Sequence, residues 1–103
     1  MAQLQTAGFT KTVTTAATAV TLKSSRTLAR WVTIQALAAN TGAICVGGSD
    51  VTCASNRGIR LTAGQSFAMI AVGEKKDTNT YDLFTIYIDA SVNGEGVQVT
   101  YAQ

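Results

Sequence analysis

Between Ala29 and Leu37 the chain reads ARWVTIQAL, with Val32, Ile34 and Ala36 on one parity and Trp31, Thr33, Gln35 and Leu37 on the other. Alternation with a period of two puts one set on each face of a β-strand. Both faces hold something large and apolar, so the pattern predicts a central strand, or one whose second face meets a partner. The same period runs from Leu83 to Tyr101. Ile86, Ile88 and Ala90 share a parity with Val97, Val99 and Tyr101, while Thr85, Tyr87, Asp89, Gln98 and Thr100 take the other. Asn93-Gly94 lies between the two halves, and Asn-Gly is the strongest short hairpin signal because both central residues of a type I′ turn need positive φ. The expectation is an antiparallel hairpin with Ile86 opposite Tyr101, Ile88 opposite Val99 and Ala90 opposite Val97. A four-residue Asn-Gly-Glu-Gly loop shifts the register by two and keeps the same face inward.

Elsewhere the elements are shorter. Phe9–Thr15 and Ala19–Leu22, rich in Thr and Val, read as two strands around a bend near Ala16-Ala17, since these residues favour strand over helix. Short strands follow at Ala43–Val46, Val51–Ala54, Ile59 with Leu61, and Gln65–Val72, with Gly-, Asn- and Ser-rich turns between them. Gly73–Asp82, GEKKDTNTYD, is the most polar stretch and predicts a solvent loop. Residues 1–8, MAQLQTAG, show no period and predict an N-terminal arm ahead of a single β domain over residues 9–103. No stretch sustains the i, i+3, i+4, i+7 pattern of a helix. Short strands at close spacing predict an all-β fold, either a small antiparallel β-sandwich or a jelly-roll-like barrel. Patterning alone does not separate the two.

Composition adds a constraint on the surface. The chain has 103 residues, one domain by size, and is 47% hydrophobic but only 14% charged, where about 25% is usual. Thr, Ser, Ala, Gly and Asn must cover the outside instead, which suits contact with other protein more than isolation in solution. Net charge is +2, and the basic residues stand singly except Lys75-Lys76. Without a basic stripe no nucleic-acid partner is expected. The opening MAQLQ has neither region of a signal peptide, and no apolar run approaches the ~20 residues of a membrane span. Synthesis in the cytoplasm, with no membrane partner, is the expectation.

Candidate chemistry is sparse. There is no His, which removes the commonest general base and metal ligand. Ser and Thr abound, but nothing places an oriented base beside one, so no catalytic residue, no cofactor and no enzymatic activity are expected. Cys45 and Cys53 either bridge the Gly47-Gly48 turn or remain two small buried thiols, and a reducing cytosol favours the thiols. Two thiolates fall short of a zinc site. Gly47-Gly48-Ser49-Asp50 lacks the Lys and helix of a phosphate loop and reads as a tight turn. Glu74, Asp77 and Asp82 match no calcium loop, and Lys75-Lys76 opposes a cation. Trp31 with Tyr81 and Tyr87 offers a sugar-stacking platform, against which core or interface packing weighs more.

Three segments carry a resemblance. VTIQALAANTGAICVGGSDV over residues 32–51, GIRLTAGQS over 58–66 and IYIDASVNGEGV over 86–97 are similar to small β-rich structural proteins of tailed bacteriophages, those that decorate or cement capsids. The likeness spans about residues 28–101 and brings no functional residues with it. It implies a virion protein on the capsid surface that binds the major capsid protein across subunit seams, with further copies of itself, a trimer included, as partners. A tail or head–tail connector component and a virion-surface glycan-binding module are the alternatives. The residues expected to touch a partner are Gln3 and Leu4 in the arm, Phe9 behind it, and Trp31 on the second face of its strand.

Overall fold

A computed structural model describes residues 6–70 and 80–103. Within them the chain forms β1 (Thr6–Thr12), β2 (Val20–Thr21), β3 (Leu28–Ala29), β4 (Trp31–Ala36), β5 (Ile44–Gly47), β6 (Ile59–Leu61), β7 (Ser66–Ile70), β8 (Tyr81–Asp82), β9 (Tyr87–Ala90) and β10 (Gly96–Ala102). The one other regular element among them is a 3-10 turn, Leu83–Thr85, whose Phe84 amide donates to the Asp82 carboxylate. All pairings are antiparallel. A first sheet has the order β1-β10-β4-β7, a second the order β2-β9-β5-β6, and β3 pairs with β8 apart from both. The fold is therefore the expected all-β sandwich.

Its strand order is that of a jelly roll. The pairs nest: β1 with β10, β2 with β9, β4 with β7, and β5 with β6. They form one antiparallel ribbon, rolled so that β10 also meets β4 and β9 also meets β5. The core lies between the sheets. Val32, Ile34 and Ala36 of β4 and Val97 and Val99 of β10 face it from one side, Ile44, Val46, Ile88 and Ala90 from the other, and all are buried. Val13, Leu22, Leu61 and Leu83 close its margins. Of the two readings that the alternation in ARWVTIQAL allowed, a central strand or one whose second face meets a partner, the first describes the sheet: β4 has β10 and β7 on either side.

The hairpin at Asn93-Gly94 does not form. Gly94 has φ +80°, but Asn93 does not share the positive φ that a type I′ turn needs. Ser91–Glu95 instead carries the chain from the second sheet to the first. Ile88 and Ala90 face Val97 and Val99 across the core rather than lying beside them in one sheet. The inward parity is the expected one because an arch and a hairpin bury the same face. The arch prevails because it lets both strands pair on both edges, β9 with β2 and β5, β10 with β1 and β4. Ile86 precedes β9 and has no strand partner, since Leu83–Thr85 is a 3-10 turn.

Three other expectations shift. Thr6, Ala7 and Gly8, placed in the arm, belong to β1 and pair with Ala102, Tyr101 and Thr100. Tyr81–Asp82, at the end of the expected solvent loop, forms β8 against β3, while residues 71–79 lie outside the described residues. Cys45 and Cys53 are bonded, with Cα atoms 5.5 Å apart, rather than free thiols. The bond follows from the β5–β6 connection. A turn closed by Val51 N donating to Gly48 O, and a bridge between Thr52 and Arg57, fold the loop back over the outer face of β5. Gly58, at φ +114°, lets the chain return to β6 where a Cβ would strike Val51 and the Val46 carbonyl.

The arch also ties down its neighbours. Gly94 N donates to Val13 O, Val13 N to Glu95 O, and Ala16 N to the Asn93 side chain at 2.7 Å. Asn40 Nδ2 donates to Gly96 O at 2.8 Å. The Glu95 carboxylate accepts from the amides of Thr41 (2.6 Å) and Gly42 (2.8 Å) and from the Thr41 hydroxyl. The Thr41 amide first, then the Gly42 amide, hold its carboxyl below the ordinary glutamate range.

Three outcomes follow for stability. At Gly96 a Cβ would run into the Lys11 carbonyl and the Thr12 Cα of β1, so Gly96→Ala should lower unfolding free energy by about 1–3 kcal/mol. An unchanged urea midpoint would contradict the β1–β10 register. Replacing Cys45 and Cys53 together by Ala should cost about 2–3 kcal/mol for the loop they close, and dithiothreitol should affect wild type but not the variant. Because the Glu95 pKa is depressed in the folded state, its contribution is present above the unfolded value and is lost as pH falls through the folded one. The stability gap between wild type and Glu95→Gln should therefore narrow as pH drops below about 4.3; a gap that stays constant down to about pH 3 would refute the ionic role.

Candidate interaction surface

The outward face of the first sheet has no charged residue at any of its positions. Antiparallel register aligns its side chains in rows across β1, β10, β4 and β7. One row holds Thr10, Gln98, Gln35 and Ser66, and the next Gly8, Thr100, Thr33 and Ala68. A third holds Thr6, Ala102, Trp31 and Ile70. Gln98 Nε2 donates to Gln35 Oε1 at 2.6 Å, and Gln35 Nε2 to Gly64 O at 3.0 Å, which pins the two longest polar side chains along the sheet. The third row ends in an apolar corner, with Trp31 half-buried and Ile70 63% exposed.

Such a face is suited to burial against another protein. Hydroxyls and amides lose far less than ammonium or carboxylate groups when water is removed, and they find new partners readily. Four strands at about 4.8 Å and five residues at about 3.3 Å make a patch of roughly 300–400 Å². That is about half of the ~800 Å² a standard interface takes from one partner, so one such contact is weak. At one edge of the face, β1 lacks a second neighbour among the described residues and runs for seven residues with no Pro and a single charge, Lys11. Edge strands are ordinarily blunted by Pro, several charges or a bulge.

The partner-contact residues expected from the sequence fall in three places. Trp31 sits on the uncharged face. Phe9 points inward from β1, its ring edge-on to Tyr101 at 6.0 Å and 4.5 Å beneath the Lys23 ammonium, so it closes the core instead of presenting itself to a partner. Gln3 and Leu4 lie outside the described residues. The aromatic platform is not assembled: Trp31 faces out from the first sheet, Tyr87 packs on the Cys45–Cys53 cluster outside the second, and Tyr81 packs against the core. Asp82 spends its carboxylate on the amides of Thr27 and Phe84, both at 3.0 Å; Glu74 and Asp77 lie outside the described residues. Gly48–Val51 is the tight turn its composition predicts. Among the described residues no three His, Cys, Asp or Glu side chains gather as metal ligands.

Sequence reading placed Trp31, Thr33 and Gln35 on one face, but not the extent of the surface. The signal was present: in each of four strands the exposed parity holds Thr, Gln, Ser, Ala or Gly where Lys and Glu are usual. Which strands lie side by side is what makes it a surface, and that pairing is set at long range. Comparison with known protein families, with curated proteins and with solved structures finds no match to this chain.

Proposed function

We propose that this chain is a structural protein of a tailed-bacteriophage virion, most specifically a capsid decoration or cement protein. It docks the uncharged face of its first sheet, with the Trp31–Ile70 corner at one end, onto the major capsid protein across subunit seams. The observation that carries the proposal is that none of the described residues of that four-stranded face is ionic, a composition suited to burial against another protein. Jelly rolls occur in viral capsid domains and in lectins alike, so the architecture supports a virion role by analogy only. Dispersal of Trp31, Tyr81 and Tyr87 favours protein docking over sugar stacking. A patch of this size binds weakly alone, and decoration reconciles that with function: many copies on a repeating lattice, or linked copies of the chain, gain avidity without a larger contact.

Introducing Glu at Thr100 and at Ala68, both exposed on this face and two strands apart, tests the proposal. Each buried, unpaired carboxylate opposes docking while leaving the fold within about 0.5 kcal/mol of wild type. In virions purified from cells expressing the variant, copies per capsid subunit should fall at least about tenfold, with an unchanged melting curve for the free protein. Full occupancy would overturn the docking face. Wild-type occupancy of one ring rather than of the whole lattice would move the protein to the tail or connector.

A further inference from the structure

Outside the second sheet lies a half-open cavity of about 280 Å³, bounded by Ala16 and Ala17, by Cys53, Ala54 and Arg60, and by Asp89–Ser91. Asp89 is the one buried charged residue among the described residues, 1% exposed. Its Oδ2 accepts from Cys53 N at 2.9 Å, but among the described residues no donor reaches Oδ1. A buried carboxylate oxygen left in this state is costly. Arg60 does not meet it, although register places both on the same outward row, on either side of Cys45. Two strand spacings separate them, about 10 Å between backbones. Among the residues lining the cavity, Asp89 and the exposed Arg60 thus stand on either side of the Cys45–Cys53 bond, with Ala16, Ala17, Ala54 and Ala90 around them.

We propose that this cavity binds a small zwitterion, an amino acid or ω-amino acid, whose ammonium group pairs with Asp89 Oδ1 and whose carboxylate meets Arg60. The volume lies just below the ~300 Å³ at which drug-sized pockets begin, so the ligand is small. Arg60 disfavours a simple cation and gives a zwitterion its second contact. The Ala16–Ala17 bend must lift for the ligand to reach Oδ1, which breaks the long Ala17 N–Ala90 O bond of 3.4 Å and the Ala16 N–Asn93 Oδ1 bond of 2.7 Å. Ala17 in this bend holds φ +68°, a conformation unfavourable for a non-glycine residue. This site is independent of the docking face, which lies on the other sheet.

Titration of the full-length ¹⁵N-labelled protein with glycine, β-alanine and 4-aminobutanoate tests the proposal, with ethylammonium and acetate at matched ionic strength as controls. At least one zwitterion should give saturable shifts at the amides of Ala17, Cys53 and Ser91, with a Kd tighter than about 10 mM. Ethylammonium should bind at least about tenfold more weakly, and acetate not at all. Asp89→Asn, which keeps the oxygen facing Cys53 N, should abolish the shifts. Arg60→Gln, at an exposed position that does not threaten the fold, should weaken binding at least about tenfold. The absence of saturable shifts with every zwitterion, ethylammonium binding as tightly as the best of them, or wild-type affinity in Arg60→Gln would overturn it.

Discussion

The crossing from Ser91 to Gly96 is the constraint on which the rest of the molecule depends. It turns the chain through the thickness of the sandwich, so that two strands of matching parity face each other across the core instead of lying in one sheet. Each is then free to take two neighbours, and the four pairings that result are what close the roll. The arch is also where the loops meet. Val13, Ala16, Asn40, Thr41 and Gly42 all hydrogen-bond to residues 93–96. A cap of this kind meets the polar groups of three connections at once, at an end of the sandwich where they would otherwise compete with the core for burial.

Closing the ribbon at both ends has consequences for how the chain folds. The first strand pairs with the last, so most stabilising contacts join residues far apart in sequence, and the entropy of closing those loops must be met before the contacts form. The exception is the β5–β6 tip, where the pairing is local and the Cys45–Cys53 bond staples the loop. That bond holds Cys53 over β9, so the amide that satisfies one oxygen of Asp89 is in place only because the loop is folded back. The disulfide, the Cys53–Asp89 hydrogen bond and the cavity lining therefore share Cys53.

The two outer faces then serve different ends. One is flat, uncharged and four strands wide, and a surface of that kind gives up its water cheaply. The other is covered by the stapled loop and carries the buried carboxylate, with a cavity beside it. The docking proposed for the first would leave the second open to solvent, so neither proposed role obstructs the other.

Period-two alternation by itself determined that the chain is all-β and which residues of β4, β9 and β10 point inward. These are local consequences of the pleat and survive any choice of pairing. Alternation was silent on which strands pair, and at Asn93-Gly94 local turn preference pointed to the wrong partner, because hairpin and arch share a parity and only the competition among all strands for two neighbours distinguishes them. Trp31, Thr33 and Gln35 were legible as one exposed set, but the uncharged surface exists only once β1, β10, β4 and β7 are brought side by side. Asp89 looked like an ordinary outward polar residue. Its burial depends on a loop more than thirty residues earlier folding over it, and no property of positions 87–91 carries that information.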